Sequence, residues 1–122
     1  MAVKLPIIDL GLQDQKARYD GGLWSIPLLI ECSKDLPVFD YCLASADLSN
    51  GVDFGENMLD YAAHIRRVAK ADLSYPIILH PDGAVLDGRH RLLKALVVGR
   101  DSIKAVRFTF EALPSPCSSY LV

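Results

Sequence analysis

The 122-residue chain has few features that would assign it to a class at once. It has three cysteines, Cys32, Cys42 and Cys117, with no CxxC pair among them. That excludes a disulfide-rich scaffold and a paired-cysteine metal site, and it reads as three reduced, non-catalytic thiols. It has no apolar run long enough to span a bilayer; the longest is broken by Pro27 and Glu31. The opening MAVKLPIIDLGLQ lacks the long apolar block and small-residue cleavage site of a signal peptide, so a cytoplasmic protein with no membrane partner is expected. There is no internal repeat and no low-complexity tract. There is no basic surplus: the net charge is −2, which argues against a general nucleic-acid binder and makes DNA an unlikely ligand without a partner protein. Neither GxxxxGK[ST] nor GxGxxG is present.

The distribution of charge says more than its sum. Residues 1–88 carry a balance of −6, whereas residues 89–107 carry +5, from Arg89, Arg91, Lys94, Arg100, Lys104 and Arg107 against Asp101 alone. Such asymmetry marks an anion site of limited size. Lys104 and Arg107, three apart in a strand, face opposite sides and do not continue a basic stripe.

Half the residues are hydrophobic, enough for one domain with one core. Ser25 and Pro27 open a helix whose Leu28, Leu29, Cys32 and Leu36 recur at helical spacing before Pro37 stops it. Trp24, just ahead of that cap, fits a staple or core role. Val38–Leu43 reads as a strand, and Ser49-Asn50-Gly51 as a turn. Glu56–Lys70 is helical, with Met58, Ala62, Ile65 and Ala69 as one stripe and Glu56, Asp60, His64 and Arg67 as another; the second reads as a solvated, ion-paired face, although its spacing also suits metal ligands. Pro76–Leu79 and Ala84–Leu86 form two short strands around the turn Pro81-Asp82-Gly83, with His80 as a turn histidine. A helix follows from Gly88 or Arg89 to Val98, with Leu92, Leu93, Leu96 and Val97 toward the core and Gly99 as its C′ residue. Ile103–Phe110 alternates as a strand with Ile103, Ala105 and Phe108 inward. The expected fold is a compact α+β domain with a small mixed sheet: a helical N-terminal extension over 1–37, a core over 38–110 and an irregular tail over 111–122.

The run Asp87-Gly88-Arg89-His90-Arg91 places cations at a helix N-terminus, where the dipole disfavours them by about 0.3–1 kcal/mol each. An anion there gains from free N–H groups, from the dipole and from the side chains. Gly88 permits close approach, and Arg91 and Lys94 share a face. On these grounds Gly88, Arg89, His90, Arg91 and Lys94 are the candidate phosphate-binding residues. Asp87 either caps the helix or holds Mg²⁺. The structural alternative is a solvated basic first turn with Asp87 as its cap.

The stretch IILHPDGAVLDGRHRLLKALVVGRDSIKAVRF, over 77–108, resembles the ParB/sulfiredoxin superfamily, whose members share a strand–turn–strand, a Gly with adjacent basic residues, a helix, a Gly and a further strand. Sulfiredoxins carry Gly-Cys-His-Arg; here Arg89 replaces the Cys, which removes that activity. ParB partition proteins carry Gly-Glu-Arg-Arg around CTP; Gly88 and Arg91 match, and Arg89 and His90 depart. The free serine kinase type carries Asp-Gly-x-His-Arg, which Asp87, Gly88, His90 and Arg91 match; Asp40, Asp47, Asp53 and Glu56 are the candidates for its upstream acid. The resemblance implies a nucleoside triphosphate, ATP or CTP, with Mg²⁺, an NTPase or small-molecule phosphotransferase, and Asp87 as the catalytic residue. A catalytically silent interaction module, docking a protein through residues 1–37, is the alternative. A ParB-like nuclease would need a metal-binding acid cluster that the sequence does not display.

Overall fold

The computed structural model describes residues 16–19, 21–46, 48, 55–116 and 118–119. Over these residues the architecture is α+β: three helices and a mixed four-stranded sheet, with a second small sheet packed on it. The expected turn at Ser49-Asn50-Gly51, together with Asp47, Asp53 and Cys117, lies outside the described residues.

The described residues begin with a hairpin, β1 (Lys16–Tyr19) and β2 (Gly22–Ser25), in which Tyr19 pairs with Gly22. Helix α1 (Ile26–Ser33) follows directly, with Pro27 in its first turn; Ser25 occupies the N-cap position without a side-chain bond. Strand β3 (Phe39–Cys42) and a short 3₁₀ turn (Leu43–Ser45) lead toward α2 (Met58–Lys70). Then come β4 (Ile77–Leu79), β5 (Val85–Asp87), α3 (Arg89–Val97), β6 (Ser102–Arg107) and β7 (Ser118–Ser119).

The main sheet runs β3-β6-β4-β5. β4 and β5 form the expected antiparallel hairpin, closed by the bond from the Gly83 amide to the His80 carbonyl (2.8 Å) and by Gly83 at φ +99°. β6 lies parallel to β4, and β3 antiparallel to β6. The unbroken run Ile77-Ile78-Leu79 is apolar because the sheet is covered on both faces. Ile77, Leu79, Ile103 and Ala105 meet Leu43 and Ala95 of α3 on one side. Ile78, Leu86, Val106 and Phe108 meet Ala17, Trp24, Ile26 and Leu29 on the other. Ile103, Ala105 and Phe108 thus point inward as expected.

Four local expectations are corrected. The stretch before α1 contains a hairpin as well as the helix, and Trp24 sits in its second strand, 5% exposed, with its indole Nε1 donating to the Pro114 carbonyl (2.8 Å). The tail contributes two residues of strand, which pair with β2. In α3 the buried arc centres on Leu92 and Ala95, whose small side chain lets the helix approach the sheet; Leu96 and Val97 therefore rotate outward, Val97 to 77% exposure. In α2 only Ala63 is fully buried, because this helix packs mainly on α3. Asn57 caps it, accepting from the Asp60 amide (3.0 Å), while the Asp60 carboxylate accepts from the Glu56 amide (3.0 Å).

Candidate functional site at the N-terminus of the third helix

Strand β5 ends in Asp87, and α3 starts one residue later. Gly88 takes the N-cap position at φ +105°, so the chain turns from strand into helix with no intervening loop. No side chain caps this end, and no acid lies in its first turn. Leu92 is the first amide to find a helical acceptor, the Gly88 carbonyl (2.9 Å). Among the described residues, the amides of Arg89, His90 and Arg91 have no acceptor, which leaves a three-amide anion cradle with the positive end of the dipole behind it.

The capping role considered for Asp87 is not the one observed. Its carboxylate reaches forward to Arg91, Nη2 to Oδ2 at 2.8 Å, with both side chains largely buried. The same guanidinium donates through Nη1 to the Pro76 carbonyl (2.6 Å), tying the start of α3 to the start of β4. Lys94 is also used internally: its Nζ donates to the carbonyls of Ala69 (3.0 Å) and Ala71 (2.7 Å), neutralising the C-terminal end of α2. Arg91 and Lys94 do share a side of α3, but both cations hold neighbouring elements in place. Arg89 is exposed and has no partner among the described residues.

His90 is half-buried, and its Nε2 lies 3.1 Å from Nδ1 of His64 on α2; the rings stack with centroids 5.3 Å apart. Only one of those two nitrogens carries the shared hydrogen. Burial, reinforced by the charges of His64 and Arg67, pulls the His90 imidazole below its ordinary range, with Asp87 opposing. The polar face of α2 is therefore not a solvated surface. Asp60, His64 and Arg67 are all partly buried, and His64 and Arg67 bear on the mouth of the α3 N-terminus. Sequence reading placed these two on one stripe with Asp60 but not at the site. The signal available was the i,i+3 spacing of His64 and Arg67, close to one helical turn, on a helix joined to the DGRHR segment by one short strand pair.

The lowered imidazole has a consequence for stability. The folded state holds fewer protons on His90 than the unfolded chain, whose imidazole titrates near about 6.5. Its contribution is present at neutral pH and is lost as pH falls from about 6.5 through the folded value, below which it levels off. A urea series at pH 7 and at pH 5.5 should show a smaller loss of midpoint for His90→Gln than for the parent; equal losses would contradict this assignment.

His80, the third histidine, is nearly buried beneath the hairpin turn and remote in role from this site: its Nδ1 accepts the Asp82 amide (3.2 Å), and its ring packs against Tyr19, 4.7 Å between centroids. Tyr19 also donates to the Asp82 carboxylate. Asp40 is exposed on β3 opposite Lys104, and Glu56 is exposed just before α2; Asp47 and Asp53 lie outside the described residues. No group of three or more His, Cys, Asp or Glu side chains suited to a metal occurs among the described residues. Asp87 gives one carboxylate oxygen, Oδ2, to Arg91. An open depression of about 620 Å³ lies elsewhere, at the C-terminal end of α2, edged by Lys70, Lys94, Arg100 and Lys104, cations that a helix C-terminus favours. Cys32 is half-buried and Cys42 exposed, both unbonded. No helix among the described residues is long and apolar enough to cross a membrane.

Comparison with protein-family models, curated proteins and solved structures finds no match to this chain.

Proposed function

We propose that this domain binds a phosphorylated small molecule, a nucleotide such as ATP or CTP, at the N-terminus of α3. The observation that carries the reading is the uncapped first turn: three amides without acceptors, no acid to occupy them, and Arg89, His90, His64 and Arg67 around the opening. Gly88 shapes the approach, and Arg91 acts indirectly, holding the turn against β4 through Asp87 and Pro76. A phosphate on the cradle supplies the negative charge that the first turn lacks. It also favours the protonated form of His90, so phosphate affinity rises as pH falls through the imidazole's titration. The resemblance of residues 77–108 to the ParB/sulfiredoxin superfamily supports the same reading, with the Asp-Gly-x-His-Arg pattern nearest to its kinase branch. In a phosphotransferase of that kind, the residues at this turn would act by positioning and charge neutralisation.

The test is thermal unfolding against ATP, ADP, CTP and GTP, each with and without Mg²⁺. A ligand at 100 times its Kd adds about 2.7 kcal/mol, a shift of several degrees. Arg89→Ala, an exposed and unpartnered position, should leave unfolding without ligand within about 0.5 kcal/mol of the parent while weakening the nucleotide response about tenfold or more. No shift with any nucleotide, or the same response in Arg89→Ala, counts against the proposal.

A further inference from the structure

The depression at the C-terminal end of α2 collects charge of one sign from separate parts of the chain. Lys70 comes from the last turn of α2, Lys94 from α3, Arg100 from the connection after α3 and Lys104 from β6. Lys94 is already seated on the carbonyls of Ala69 and Ala71. The side chains of Lys70, Arg100 and Lys104 have no hydrogen bond or ion pair among the described residues. Asp40 stands across the ladder from Lys104, yet the two form no ion pair and Asp40 does not line the depression. The one acid in the lining is Asp72. It answers its own turn instead: Oδ1 accepts from the Ser74 hydroxyl (2.7 Å) and the Ser74 amide (2.9 Å), and these bonds hold its carboxyl below the usual range.

Helix ends explain part of this charge. The C-termini of α2 and α3 each present about half a negative charge. Four cations set against those two ends and one acid still leave about two positive charges without a counterpart. We propose that this depression binds a small molecule carrying two anionic groups. At about 620 Å³ it has the size of a small-molecule site. The planar fork of Arg100 suits one carboxylate or phosphate group, and the point charges of Lys70 and Lys104 suit a second. A polymer is a poorer fit, because the positive charge does not run on as a track. Arg107, three residues beyond Lys104 on β6, turns to the β4–β5 side and donates to the Pro81 carbonyl (3.1 Å). The site lies away from the Gly88 end of α3, so this inference does not depend on phosphate binding there.

The experiment is an amide-resolved NMR titration of the whole chain with succinate and, separately, with pyrophosphate. Each runs to about 20 mM at constant ionic strength, with acetate as the single-charge comparison. Saturable shifts are expected on the amides of residues 71–74 and 100–104, half-complete near about 1 mM and at least about fivefold tighter than with acetate. Shifts at 88–91 report the other site and are scored separately. Arg100→Ala and Lys104→Ala, both at exposed positions, should each weaken the response about fivefold. Arg66→Ala removes the same charge from an exposed position of α2 outside the depression and should change it by less than about twofold. Saturation by succinate alone supports a dicarboxylate ligand, by pyrophosphate alone a diphosphate, and by both a site that reads charge. No saturable shift at 71–74 and 100–104, an equal response to acetate, or a loss in Arg66→Ala as large as in Arg100→Ala would each overturn the proposal.

Discussion

Gly88→Ala is expected to destabilise the domain by about 3 kcal/mol. Two terms add. The residue adopts φ +105°, ψ 21°, a left-handed conformation that costs an L-residue roughly 1–2 kcal/mol. A Cβ built there also lies 2.5 Å from Cγ2 of Ile77 and 3.1 Å from its Cα. Ile77 is fully buried between α3 and the sheet, so neither its side chain nor its backbone can withdraw without disturbing the core; overpacking of that kind costs roughly 1–3 kcal/mol. Gly99→Ala is the control. Its φ is +79°, but nothing lies within 4 Å of the added carbon, so only the backbone term applies. Urea unfolding of the two variants should therefore differ by about 2 kcal/mol or more. Equal losses would mean that the close packing of Gly88 on Ile77 has no energetic weight.

Arg91→Ala is expected to cost about 2–3 kcal/mol, because it leaves two partly buried acceptors, the Asp87 carboxylate and the Pro76 carbonyl, without their shared donor. Arg91→Lys should not recover the loss, since one ammonium on a flexible stem does not reproduce a planar fork spanning both acceptors. The pair should be coupled: Asp87→Ala with Arg91→Ala should cost less than the sum of the two single changes by about 1 kcal/mol or more, read from denaturant midpoints. Strict additivity, or an Arg91→Ala loss below about 0.5 kcal/mol, would show that the pair is ornamental to stability. The consequence for function is direct. Loss of nucleotide binding in Arg91→Ala would reflect a displaced first turn as much as a missing charge, which is why Arg89 is the cleaner probe of the site.

Much of the core region was legible because its signals are local. Pro81-Asp82-Gly83 between two apolar triplets specifies the β4–β5 turn, Gly88 and Gly99 bracket α3, and the alternation of Ile103 and Ala105 orients β6. The N-terminal hairpin was less legible because each strand has four residues and alternation rests on Ala17 and Trp24 alone, although Asp20-Gly21 between them is the dipeptide that favours a tight hairpin connection. The facing of α2 was not legible at all. Periodicity identifies two faces but not which one a neighbour covers, and here the interior side is polar because it meets the basic opening of α3, with His64 pairing His90. The uses of Arg91 and Lys94 escaped for a related reason. Their acceptors, the carbonyls of Pro76, Ala69 and Ala71, are backbone groups 15 to 25 residues away that no side-chain motif encodes.

The central claim is that the first turn of α3 holds a phosphate, and an amide-resolved NMR titration with ATP, CTP and inorganic tripolyphosphate, each with and without Mg²⁺, tests it most directly. The account predicts saturable shifts concentrated on the amides of Gly88, Arg89, His90 and Arg91, with accompanying changes in the imidazoles of His64 and His90. Amides at 88–91 that stay fixed under all three ligands, while the protein remains folded, would contradict it.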